Sequence, residues 1–194
     1  RTAVREALAA IPWTWVLIRA TGITAWCALA AVLFVGLLAT IRRTGSVASP
    51  RAVLLHRRLV SLALSLLAVH AALLLVDTYE PFTVVQVLVP FIASWRPLPV
   101  ALGIIALWLI MAVWLLGRLR GRYPHRWFPH AHVCAYAAWP LATAHYVLAG
   151  TDALTWWSIT ILIAGTGAVV AALLARAATQ RAAHRRPDKA APSR

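Results

Sequence analysis

The stretch that most limits how this chain can fold is Leu54 to Asp77, LLHRRLVSLALSLLAVHAALLLVD. It is almost wholly apolar and long enough to cross a bilayer, for which a helix needs roughly 20 apolar residues. Two histidines, His56 and His70, interrupt it fourteen residues apart. In a helix that spacing is about 21 Å of rise. At about 100° per residue it brings the second ring within about 40° of the first. One helix therefore presents two imidazoles on nearly one face, one towards each end. A second stretch, AHVCAYAAWPLATAHYVLAG, repeats the device with His132 and His145, thirteen apart. Two such helices form a ladder able to hold two metal centres, one above the other.

Composition sets the class. Of 194 residues, 62% are hydrophobic and only 12% charged, about half the charge of an ordinary soluble domain. We expect an all-α integral membrane protein, with polar segments too short to bury a core of their own. The net charge of +14 could suggest nucleic acid. Its distribution excludes that reading, because the basic residues sit in short loops between apolar runs. Cys27 and Cys134 fall inside expected spans without metal-type spacing and read as buried thiols. The chain opens on Arg1 rather than methionine, so we expect sequence upstream of it.

In chain order, residues 1–12 are a polar lead-in closed by Pro12, which suits a first helical turn. The first span is expected over Trp13 to Ile41, with Trp13 and Trp15 at the interface. Arg19 lies inside it, either functional or snorkelling outward. A basic loop ends at Ser49-Pro50, a cap and a first-turn proline, before the second span at Leu54 to Val76. The run PFTVVQVLVPFIAS is too short to cross and reads as re-entrant or interfacial. Pro97 and Pro99 open a third span to about Leu119, with Trp108 and Trp114. Pro129 opens the fourth, which Gly150 closes. Thr151-Asp152 can cap the fifth, about Ala153 to Leu174. One transmembrane domain, carrying both histidine pairs, is thus expected over residues 13–176. The basic tail, 177–194, is expected to be disordered or to lie on lipid.

Five alternating spans put the loop at 42–58 (five Arg), the loop at 118–126 (four Arg) and the segment from Arg176 (six Lys or Arg) on one side, fifteen of nineteen basic residues. The positive-inside rule makes that side cytoplasmic. Glu6, Asp77, Glu80 and Asp152 then fall outside, the N-terminus is outside and the C-terminus is cytoplasmic, in a multi-pass plasma-membrane protein. The second and fourth spans run parallel. His56 and His132 match in depth near the inner face, and His70 and His145 near the outer. Matched imidazoles on two helices suit axial ligation of two stacked haems, and filling both axial positions favours electron transfer over oxygen binding. An isolated intramembrane histidine can simply bond helices together; four at matched depths ask for more. Thirteen residues would turn His145 about 140° from His132 in a straight helix, but Pro140 lies between them and can shift the phase. His130 rivals His132, which lies deeper in the span. His125 and His184 sit in polar segments. Arg57 and Arg58 beside His56 could pair with haem propionates or simply mark the inner side. Arg19 and Arg96 are the outer candidates.

These paired histidines, in LLHRRLVSLALSLLAVH and AHVCAYAAWPLATAH, resemble those of the ferric reductase-like transmembrane domain family. That family includes the membrane parts of NADPH oxidases, ferric reductases and the haem subunit of the bacterial methionine sulfoxide reductase system. RATG at Arg19 to Gly22, PFTVVQVLVPFIASWRPLPVALG, and LAGTD at Leu148 to Asp152 look most like bacterial members. The resemblance implies two haem b groups, the inner on His56 and His132 and the outer on His70 and His145. It also implies electron flow from the cytoplasm outward. The chain departs from the larger relatives, which have six spans and carry flavin and NADPH domains. Here no Gly-rich nucleotide fingerprint follows the last span. FMN or FAD would then sit only on a separate cytoplasmic flavoprotein, or a quinol would supply electrons. The acceptor would be ferric iron, oxygen or a redox partner protein on the outer side. The chain would be the haem-bearing component of a ferric reductase-type oxidoreductase. The alternatives are a histidine-lined metal-ion or proton transporter and a non-catalytic membrane subunit. Transporters usually carry deep acidic residues, and the central parts of these spans have none.

Overall fold

The computed structural model describes residues 12–41, 49–122 and 127–184, with side chains except at 127, 129–131 and 183–184. The described residues are all helix and connection: α1 (Trp13–Ile41), α2 (Pro50–Val76), the short α3 (Val84–Leu88), α4 (Pro97–Arg118), a 3-10 turn (Arg120–Arg122), α5 (Trp127–Ala149) and α6 (Trp156–His184). Proline starts or precedes three of them, as its missing N–H allows. Pro12 accepts the first bond of α1 from Val16, Pro50 opens α2, and Pro97 and Pro99 lie in the first turn of α4. Four helices, α1, α2, α4 and α6, are long and apolar enough to cross a membrane. Their outward faces are apolar too: Leu54, Leu62, Leu98, Ile163 and Leu174 are each half exposed or more, which suits lipid and not water.

Of the five spans expected, four helices have the length and apolar character to cross, and α5 falls short of their apolar level. It is 23 residues long, enough for about 35 Å, yet it spends positions on His132, Tyr136, Pro140 and His145. Ser49 precedes α2 without a side-chain cap bond; Pro50 alone marks the start. Thr151-Asp152 does not cap α6, which begins at Trp156 after a turn in which Thr155 Oγ1 donates to the Asp152 carbonyl. The helix also runs past Arg176 to His184. ARAATQRAAH is rich in Ala, Arg and Gln, all strong helix formers, and that propensity outweighs the segment's charge.

Two helical hairpins, α1–α2 and α4–α5, form the frame, and α6 lies against α1. Helix α1 is central, contacting α2, α5 and α6. Its inner face is small: Ala25, Ala28 and Ala30 are buried there with Trp26 and Leu37. Small residues let apolar helices approach closely. Trp26 fills the space they leave, against Trp139 (ring centroids 4.7 Å) and Tyr146 (5.6 Å), with Nε1 donating to Thr143 Oγ1 at 3.1 Å. Gly165 of α6 makes room for the same indole; a Cβ there would stand 2.7 Å from it.

The run expected to be re-entrant or interfacial folds back as a plug. Thr83 and Gln86 form a reciprocal capping box at α3. Phe82, Val87 and Ala93 pack on Val100 and Ile104 of α4, and Trp108 Nε1 donates to the Leu88 carbonyl at 2.9 Å. Ala71 and Leu74 of α2, just past His70, pack against the same cluster.

Candidate functional site

Helices α2 and α5 hardly touch through their backbones; they meet through their histidines. His56 faces His132, with ring centroids 6.1 Å apart and planes at 61°. His70 faces His145 at 6.5 Å and 82°. First pairs with first and second with second, so the two helices run parallel and the rings lie at two levels. Both rings of α5 turn towards α2 although their spacing does not fit a straight helix. Pro140, which removes one backbone bond, lies between them inside α5.

Three of the four rings are held alike. His70 Nδ1 bonds the Ile18 carbonyl at 2.8 Å, His145 Nδ1 the Pro99 carbonyl at 2.8 Å, and His56 Nδ1 the Val32 carbonyl at 3.1 Å. A carbonyl only accepts, so each Nδ1 carries the proton and donates. That leaves Nε2 unprotonated, the form in which a histidine binds metal. All three carbonyls lie four residues before a glycine: Gly22, Gly103 and Gly36. A helical Cβ leans towards the N-terminus over the preceding turn, and a glycine keeps that carbonyl open to a second donor. A Cβ would meet His70 at 3.0 Å from Gly22, His56 at 3.3 Å from Gly36, and His145 at 2.6 Å from Gly103. These glycine seats escape a reading of the sequence centred on histidine. The signal was there: Gly22 and Gly36 are fourteen apart, as are Gly103 and Gly117, matching His56 and His70.

A cavity of about 430 Å³ surrounds the His70 and His145 level, and its lining includes Arg19, Trp26, Asp77, Arg96 and Asp152. That lies within the roughly 300–1,000 Å³ usual for cofactor and small-molecule sites. Arg19 pairs with Asp152 and lies 3.8 Å over the Trp15 ring. Arg96 adopts a left-handed backbone at φ 43°, unusual for a residue with a Cβ. Its Nη1 donates to the Leu148 carbonyl at 2.7 Å, tying α4 to the end of α5. Arg57 and Arg58 are exposed on α2 beside His56. The acids at the mouth serve the fold: Asp77 accepts from Thr14 Oγ1 (2.6 Å) and the Glu80 amide (3.1 Å). The His130 and His184 side chains, and all of His125, lie outside the described residues.

Two imidazoles binding one iron from opposite faces fit these pairs. With metal–nitrogen bonds of about 2 Å and each centroid about 1 Å behind its nitrogen, the centroids would be about 6 Å apart. Among the described residues no group of three or more His, Cys, Asp or Glu could hold an ion. Two protein ligands suit a metal that brings the rest of its coordination with it.

Compared with known proteins, the chain matches no family model, and no curated protein and no solved structure shows significant similarity to it.

Proposed function

We propose that the chain holds two b-type haems, one between His56 and His132 and one between His70 and His145, and passes electrons through them across the membrane. The observation that carries this is the pair of opposed imidazole pairs, at 6.1 and 6.5 Å, on parallel helices. Bound haem supplies one-electron exchange between ferric and ferrous iron. The protein's part is orientation. His56, His70 and His145 donate Nδ1–H to carbonyls of neighbouring helices, which aims Nε2 between α2 and α5. Such bonds also raise ligand basicity. Arg19 and Arg96 are the cations available to propionates at the His70 level, and Arg57 and Arg58 flank the other level. Helix α5 then crosses as a fifth span, its polar residues turned to its neighbours: Thr143 to α1, the histidines to α2, and Tyr136 and Tyr146 to α6.

In this reading the arginine-rich connections face the cytoplasm, where a flavoprotein or quinol delivers electrons to the His56 level. An acceptor on the far side collects them from the His70 level. The histidines of one helix are about 21 Å apart along its axis, which covers most of an apolar core of about 30 Å. A bare-ion transporter would need three or four protein ligands converging.

The test is an optical spectrum of detergent-purified protein, oxidised and dithionite-reduced, with haem counted per chain. Two b-type haems are expected, and one in His70→Ala or His145→Ala. Protein that stays colourless after expression with excess haem would overturn the proposal.

A further inference from the structure

Three histidines sit in glycine seats; His132 does not. Its Nδ1 is buried with no hydrogen-bond partner among the described residues. The fourth glycine of the pattern, Gly117, has the Phe128 ring as its nearest neighbour, 3.8 Å from where a Cβ would stand. The same Phe128 ring stacks on His132 with centroids 5.2 Å apart and planes at 26°, and Arg120 lies over Phe128 at 4.9 Å. By the four-residue offset of the other three seats, Gly117 opens the Val113 carbonyl. Among the described residues it is Phe128, not His132, that lies against Gly117.

We infer that the His56/His132 centre is a binding site for a small neutral exogenous ligand, with His132 the protein ligand that yields its place and Phe128 the residue that keeps His132 unseated. The inference rests on the haem reading. A histidine bonded through Nδ1 is fixed in tautomer and direction and is the more basic ligand. His70 and His145 are both fixed in this way, so the other centre stays closed. At the His56/His132 centre one ligand is fixed through Nδ1, and the other, among the described residues, has only ring contacts, with Phe128 and His56. The ligand class is a neutral donor small enough to enter beside Phe128, such as a diatomic gas, bound to ferrous iron with no net redox change.

Carbon monoxide is the probe. Added to dithionite-reduced purified protein, it is expected to bind one of the two haems, read as a difference spectrum with half the total haem responding. The His70→Ala/His145→Ala double variant, which loses the closed centre, should keep that signal. Phe128→Ala frees the seat, and His132 gains one hydrogen bond, which should weaken carbon monoxide binding about fivefold. Gly117→Leu added to Phe128→Ala blocks the seat again and should restore the affinity. Phe128 is only partly buried, so its loss leaves the bundle standing. Two haems that both refuse carbon monoxide, a signal that disappears with the double variant, or an unchanged affinity in Phe128→Ala each overturn the inference while the haem reading stands. A wild-type protein without haem overturns both.

Discussion

The two histidine levels are built from the same parts and finished differently. At the His70 level both rings donate to carbonyls, both rest against glycines, and Phe82 and Val87 line the same cavity. At the His56 level one ring is seated and the other stacks on Phe128. The difference separates two demands on a ligand: being present at the right depth, and being unable to move. Histidine spacing along a helix meets the first. The second depends on a neighbouring helix offering an open carbonyl, and a helix offers one where it has no Cβ.

The glycines are therefore the sharpest way to break the comparison. In Gly103→Ala the new methyl would stand 2.6 Å from His145 Nδ1, closer than any real contact, and α4 and α5 cannot part without losing their packing. On the proposed two-haem reading, haem at the His70 level should fall severalfold, measured as haem per chain, with the other haem unchanged. Gly22→Ala, at 3.0 Å, should lower the same haem less, and Gly36→Ala, at 3.3 Å, should only shift the spectrum of the His56-level haem. Gly117→Ala should change neither, since its nearest atom is 3.8 Å away. If all four variants behaved alike, the seats would be ordinary helix packing.

That gradient also marks where sequence reading stops. The apolar runs gave the helices, because length and hydropathy are local: α1 lies over Trp13–Ile41 as expected, and the prolines before α2 and α4 mark their starts. The histidine pairing was legible because depth follows from counting residues along two spans. The seats were not, because a glycine in an apolar run reads as a helix weakness until the partner helix is in place. Nor could the partner of Arg19 be read. Asp152 looked like a helix cap from its neighbours, and only the packed bundle brings the two together.

The Arg19–Asp152 pair gives a smaller effect confined to one level. Asp152→Asn removes a negative charge near the His70 level and leaves Arg19 positive. Local potential rises, the ferrous state is favoured, and the midpoint potential of that haem should increase on the order of tens of millivolts. The His56-level haem should not move. Potentiometric titration of the two haems checks both statements; equal shifts at the two levels would mean that the pair acts on the whole bundle.

The smallest expected effect compares two tyrosines of α5. Tyr146, beside His145, shares a 2.7 Å hydrogen bond with Ser158, whose side chain is fully buried. Tyr136, four residues after His132, accepts 2.7 Å from Arg176 Nη1, which is only partly buried. Removing either phenolic hydroxyl deletes one bond, worth about 1 kcal/mol. The partners left behind fare differently. Ser158 stays enclosed and its hydroxyl loses a bond that water cannot replace. Arg176 can turn its guanidinium to solvent or lipid headgroups. Tyr146→Phe should therefore lower the thermal midpoint of the detergent-solubilised protein by a few degrees and Tyr136→Phe by less, a difference of about 1 kcal/mol between the variants. The reverse order would place the tighter packing at the His56 level, where the unseated ring predicts it is weaker.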